Sequence, residues 1–270
     1  MNDLAAWPHL FTPGDPARPV LLTLHGTGSD ERDIAQIAGI LDPTAAVLSP
    51  RGKVSESGML RWFARRGEGV FDVDDVVFRS GELVSFLEWA RDSYRLGHRQ
   101  IVAVGLSNGA NIALATALLN PSSISRVIAF SGMYPLGDRL PETASASTGA
   151  TVPADGVSDV DGVGVVGGEA PDVDIAPGGS DGRGVGGGMP DVVGGGADGR
   201  GVGAPTRFVR LLSAVDVILL NGSADPMAPP ASVDLLERVL RERGARVERA
   251  TRPGGHGITQ VDIDAARAWL

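Results

Sequence analysis

Five short apolar runs constrain the fold of this 270-residue chain more than any other feature. "PVLLTLHG", "AAVLSP", "IVAVGLS", "RVIAFSG" and "VDVILLNG" lack the polar alternation of a half-exposed strand, as expected where both faces of a sheet are covered. The segments between and after them change rhythm. "DERDIAQIAGILD" places Ile34, Ile37, Ala38 and Leu41 at helical spacing, and "DVDDVVFRSGELVSFLEWARDSYRLG" sets Leu83, Val84, Leu87 and Ala90 in one stripe closed by Gly97. "PASVDLLERVLRERG" turns Val233, Leu236, Val239 and Leu240 inward and stops at Gly244. "ARVERATRPGGHG" reads as an edge strand and loop, and "TQVDIDAARAWL" as a closing helix with Thr259 as N-cap. This alternation predicts an α/β domain: a doubly wound, mostly parallel sheet with helices on both faces.

One segment breaks the pattern. From 141 to 205 the chain is mostly Gly, Asp, Val, Ala and Pro, with "DGRGVG" at 181 and 198 and "PDV" at 171 and 190. Such a composition buries too little apolar surface to offset its ordering entropy, so disorder is expected. It is read as an insertion within one domain spanning 1–270, either neutral or acting as a lid or partner-binding segment. Loop-closure cost grows only logarithmically with length, so the fold can accommodate it.

Charge and cysteine content narrow the function classes. Against 33 acidic residues stand 24 basic ones, a net charge of −9, and no basic patch with interleaved aromatics is visible; nucleic acid is not an expected partner. With no cysteine, disulfides, thiolate metal sites and thiol nucleophiles are excluded, and no metal is expected. The amino-terminal residues lack a basic stretch leading into an apolar one, and no run of 18 apolar residues occurs. The expectation is a cytoplasmic protein without a membrane span, with monomer and homodimer equally compatible.

Gly-x-Ser-x-Gly occurs twice, around Ser107 and around Ser180. With 38 glycines, chance supplies on the order of a few tenths of a match, so context must decide. The chemistry needs a strand, a sharp turn and a helix, because that geometry lifts the serine hydroxyl clear of the sheet. Ser107 has both neighbours: Ile101, Val102 and Val104 before it and "NGANIALATALLN" after it, with Ile112 and Ala115 on one helical face. Gly105 and Gly109 then fall where strand and helix cross and a Cβ has no room. Ser180 has neither neighbour.

A serine hydroxyl needs a base, and the base an orienting acid. Of four histidines, His9 lies in a proline-flanked terminus and His98 at the wrong end of the strand. His256, in the loop "RPGGHGIT", is the expected base; His25, in "LTLHGTGSD", either serves as base or shapes a turn whose N–H groups face the reacting oxygen. Asp225 follows the last apolar run and is the expected acid, though it could simply cap a turn; Asp216 stands at the wrong end. Ser107, Asp225, His256 is the chain order of α/β-hydrolase triads. The oxyanion donors expected are the backbone N–H groups of Asn108 and Thr27.

Together "LHGTGSDERD", "SPRGKV", "RWFARRGEGVFD", "GLSNGANIA", "NGSADPMAPP" and "GGHG" resemble the carboxylesterase and phospholipase branch of the α/β-hydrolases, which holds the acyl-protein thioesterases. They resemble more closely small bacterial hydrolases associated with hydroquinone resistance. The resemblance covers residues 18–136 and 214–270 and departs from the family at the Gly-rich insertion. It implies a serine esterase without cofactor, acting on small to medium acyl esters or thioesters.

Trp62 and Phe63 are expected either to line an acyl or aromatic pocket or to pack beneath their loop. Met133 and Met227 are expected as pocket wall or core. Arg65 and Arg66 either attract an anionic leaving group or are simply solvated. A binding protein on the same fold is the alternative, disfavoured because ligand capture does not require all three of Ser107, Asp225 and His256.

Overall fold

The computed structural model describes residues 4–67, 70–137, 139 and 212–270. The Gly-rich insertion 141–205 and Ser180 lie outside these residues. Seven strands form the main sheet: β1 (His9–Thr12), β2 (Val20–Leu24), β3 (Ala46–Pro50), β8 (Ile101–Leu106), β9 (Arg126–Phe130), β10 (Asp216–Gly222) and β11 (Arg246–Arg252). Their spatial order is β1-β3-β2-β8-β9-β10-β11. All neighbours are parallel except β1 with β3. Two hairpins, β4 (Val54–Glu56) with β5 (Met59–Arg61) and β6 (Arg65–Gly67) with β7 (Val70–Phe71), occupy what the sequence reads as a long loop.

This is an α/β-hydrolase fold. β9 pairs directly with β10, so the strands flanking the undescribed segment are neighbours in one sheet. β2, β8 and β9 are buried along nearly their whole length, which is why they read as unbroken apolar runs. β11 is one of the two edge strands and buries only Val247 and Arg252.

The helices cover both faces. α1 (Glu31–Leu41) buries Ile34, Ala38 and Leu41 but leaves Ile37 half-buried, and α4 (Pro230–Glu242) buries Val233, Leu236, Val239 and Leu240 as its spacing predicts. In α2 (Val73–Ser93) the buried stripe includes Val76 and Phe86, whereas Val84 is only half-buried. α3 (Asn108–Leu119) departs further from expectation, because every residue from Asn108 to Leu118 is buried. It is wedged between the sheet and α2, so it has no polar face and no amphipathic signature. α5 (Gln260–Trp269) starts with a capping box between Thr259 and Asp262.

The strand β1 had no clear signature in sequence, being four residues long and flanked by Pro8 and Pro13. It brings His9 into an aromatic cluster with Phe86, Trp89 and Tyr94. No helix among the described residues is long and apolar enough to cross a membrane.

Candidate active site

The carboxyl ends of β2, β8, β9, β10 and β11 all open on one edge of the sheet, and the candidate residues hang from them. Ser107 stands between β8 and α3 with φ 54° and ψ −114°. A serine held there costs roughly 1–3 kcal/mol, so the surroundings must enforce it. Two glycines do so. A Cβ on Gly105 would meet Ala110 Cα and Gly109 C at 2.6 Å, and one on Gly109 would lie 1.9 Å from the carbonyl oxygen of Leu24. The start of α3 is thereby pressed against the end of β2.

Asn108 is the first residue of α3, so its backbone N–H has no partner within the helix. Thr27 lies in the turn after β2, which is tied to β5 by a hydrogen bond from Gly28 N–H to Leu60 O at 2.9 Å. Ser107, Asn108 and Thr27 line the same cavity of about 380 Å³. Met133 and Met227 also line it, Met227 being well exposed.

Trp62 and Phe63 do not line that cavity. Both are buried in the core, where the Trp62 indole N–H donates to His25 O at 2.9 Å and Phe63 packs edge-on against Phe71. Burying two large apolar rings outweighs exposing them to a wet cavity. The core-packing alternative therefore describes both.

His25 has neither a free nitrogen nor access to solvent. Nδ1 donates to Gly26 O at 2.8 Å and Nε2 accepts from Gly52 N–H at 2.9 Å, which defines the neutral Nδ1–H tautomer. Burial pushes its pKa down, against the weaker opposing effects of the Gly26 hydrogen bond and nearby Asp30 and Glu31. It pins the turn that carries Thr27.

Asp225 and His256 meet across two interlocked loops. Ser223 N–H donates to Arg252 O at 2.8 Å and Ala224 N–H to Gly254 O at 2.9 Å. The approach is so close that a Cβ on Gly222 would lie 2.3 Å from Gly255 O. His256 Nδ1 consequently lies 2.8 Å from Asp225 Oδ2. A carboxylate only accepts, so Nδ1 carries the proton and a neutral ring keeps its lone pair on Nε2. Asp225 Oδ1 also accepts from Met227 N–H at 2.9 Å and Ala228 N–H at 3.2 Å, so the residue caps its turn while orienting the imidazole. Burial favours the neutral carboxyl, but the hydrogen bonds and charge of His256 with the two N–H groups outweigh it and hold the pKa below the ordinary value. Among the described residues the side-chain hydrogen bonds of His256 go to Asp225, and none joins it to the Ser107 hydroxyl. Such contacts often close only when substrate binds.

Several supporting contacts escaped the sequence reading. Asn108 Oδ1 accepts from Trp62 N–H at 2.7 Å, and Asn111 Oδ1 from Met133 N–H at 2.8 Å, tying two loops to α3. Arg252 Nη2 donates to Gly257 O at 2.8 Å and its Nε to Asp262 Oδ2 at 2.5 Å, bracing the His256 loop. The Thr259-x-x-Asp262 capping pattern was the one sequence signal for any of these. Among the described residues no three His, Asp or Glu side chains group as a metal ion would need.

Comparison with known proteins agrees with this architecture. The family described as phospholipase/carboxylesterase matches residues 6–155, more than half of the chain. The hydrolase MhqD of Bacillus subtilis is 28% identical over 262 residues, spanning 97% of this chain and 96% of that protein. The esterase YpfH of Escherichia coli is 32% identical over 146 residues, 51% of this chain and 60% of that protein. The crystal structure of the Bacillus cereus carboxylesterase superposes with a TM-score of 0.69 at 28% identity, covering 98% of this chain and 93% of that one. The chain therefore belongs to the phospholipase/carboxylesterase family of ester-hydrolysing enzymes.

Proposed function

We propose that this protein hydrolyses small to medium carboxylic esters through Ser107, His256 and Asp225, by way of an acyl-enzyme. The Ser107 hydroxyl attacks the carbonyl carbon while His256 Nε2 takes its proton, and Asp225 holds the imidazolium that results. The tetrahedral oxyanion is held by the N–H groups of Asn108 and Thr27, with the α3 dipole adding to the stabilisation. The alcohol leaves with the proton from His256. Water, deprotonated by the same nitrogen, then attacks the acyl-enzyme and releases the acid. None of these steps calls for a cofactor.

The observation that carries this reading is the Ser107 backbone. A non-glycine residue at φ 54°, wedged by Gly105 and Gly109 and facing a cavity, stores strain that neither sheet nor helix requires. The cavity volume of about 380 Å³ is at the small end for ligand sites, which favours short acyl groups against Met133 and Met227.

Hydrolysis of p-nitrophenyl acetate and butyrate by wild type and Ser107→Ala tests it. The variant is expected to lose about 10⁴- to 10⁶-fold in kcat. Activity surviving in Ser107→Ala would assign the chemistry elsewhere.

A further inference from the structure

Arg61 ends β5 at 5% exposure, yet it lines the same cavity as Ser107. A guanidinium buried this far needs a counter-charge, and this one has a poor share of one. Its Nε lies 3.5 Å from Glu56 Oε2, while the same carboxylate holds Arg65 Nε at 3.0 and 3.1 Å. Arg65 lines the cavity as well. Two cations thus share one anion, leaving that trio of side chains with a charge of +1 in a chain whose net charge is −9.

Arg61 Nε also donates to Phe63 O at 3.3 Å, but among the described residues no hydrogen bond uses either of its Nη groups. Burial first, and the neighbouring Arg65 charge second, disfavour its cationic form. An anion docking there relieves both effects. A planar guanidinium with its fork unengaged fits a carboxylate or phosphate in bidentate fashion.

The route by which Arg61 reaches the cavity is built into the backbone. A Cβ on Gly52 would lie 2.4 Å from Arg61 O, so the hairpin can return this closely only over glycine. Trp62 N–H is then tied to Asn108 Oδ1, beside the nucleophile.

We propose that Arg61, assisted by Arg65, binds an anionic group carried by the ester substrate, so that the preferred substrates are anionic esters, such as half-esters of dicarboxylic acids or esters bearing a phosphate. The proposal rests on the assignment of Ser107 as the nucleophile at this cavity. Arg61 selects the substrate and leaves the proton transfers to His256.

The test compares monoethyl succinate with its neutral isostere ethyl levulinate, and 1-acetylglycerol 3-phosphate with 1-acetylglycerol, following acid release by wild-type enzyme. A charge-assisted contact predicts a preference in kcat/KM of about 10- to 100-fold for one anionic member, expressed mainly in KM. The pair that shows it distinguishes carboxylate from phosphate. Arg61→Gln is expected to bring that ratio to about one, and Arg61→Lys to keep part of it. Equal or faster turnover of both neutral esters by wild type overturns the proposal, even if the glutamine variant cannot be purified. Binding of the same esters to Ser107→Ala by calorimetry separates the two claims. Anionic binding that needs Arg61, in a protein whose wild type hydrolyses nothing, supports the subsite and overturns the nucleophile assignment. Hydrolysis of neutral esters without anionic preference does the reverse.

Discussion

The first turn of α3 and the end of β2 touch backbone to backbone, because Gly109 leaves only 1.9 Å between the place a Cβ would occupy and the carbonyl oxygen of Leu24. That contact sets the distance between the Asn108 N–H and the turn carrying Thr27, the two donors assigned to the oxyanion. Gly109→Ala is expected to destabilise the protein by at least about 1–3 kcal/mol, read as a lower midpoint of urea unfolding. Gly81→Ala provides the contrast. It lies on the exposed side of α2 with nothing within 4 Å of an added Cβ, and is expected to gain roughly 0.5–1 kcal/mol. Equal effects of the two substitutions would contradict the close approach at Gly109.

Asp225→Asn keeps an oxygen for Met227 and Ala228 N–H but turns the imidazole partner from a charge into an amide. Turnover of p-nitrophenyl acetate is expected to fall about 10⁴-fold in kcat with little change in KM or in the far-ultraviolet circular dichroism. A loss confined to KM would mean that Asp225 serves substrate binding instead.

The loop that presents His256 depends on the buried pair Arg252 and Asp262, 2.5 Å apart. Asp262→Ala leaves Arg252 uncompensated and is expected to cost roughly 3–5 kcal/mol in denaturant unfolding, with a fall in turnover as the loop loosens. Asp216→Ala breaks an exposed pair with Arg246 and is expected to cost about 1 kcal/mol or less. Comparable costs would show that the buried pair does not brace the loop.

His25 makes stability depend on pH. Burial lowers its folded pKa below the unfolded value of about 6.5, so between the two the unfolded chain binds a proton that the folded one does not. Stability from this group is fully present above about pH 6.5 and falls as the pH drops toward the folded value, by up to about 1.4 kcal/mol per pH unit. Urea unfolding of wild type and His25→Gln from pH 7.5 to 5 checks this. The variant is less stable at pH 7.5, having lost the bridge between Gly26 and Gly52, but its slope is smaller by the His25 share. Parallel curves would mean that His25 titrates alike in both states.

What could be read from sequence was what local pattern encodes. Ser107 was legible because its strand, turn and helix are contiguous, and Gly105 and Gly109 announced the crossing at which the structure leaves no space for a Cβ. The inward faces of α1 and α4 were legible because each has a wet face to contrast with a dry one. α3 was not, since a helix buried on all sides has no stripe. The location of Trp62 and Phe63 was left open for a related reason: an aromatic pair in a loop reads the same whether it faces a cavity or the core. Arg61 lies 46 residues in sequence from Ser107, and nothing in "MLRWFARR" says which arginine turns inward. The bracing of the His256 loop by Arg252 likewise depends on a meeting of β11, a loop and α5 that only the folded chain displays.

Intact-mass analysis after treatment with a fluorophosphonate tests the central claim most directly, because the reagent reports an activated serine without any assumption about substrate. A single adduct on wild type, absent from Ser107→Ala and strongly slowed in Asp225→Asn, is the predicted result. No adduct on demonstrably folded wild-type protein, or an adduct that persists in Ser107→Ala, would contradict the assignment; the former would favour a binding protein built on the same fold.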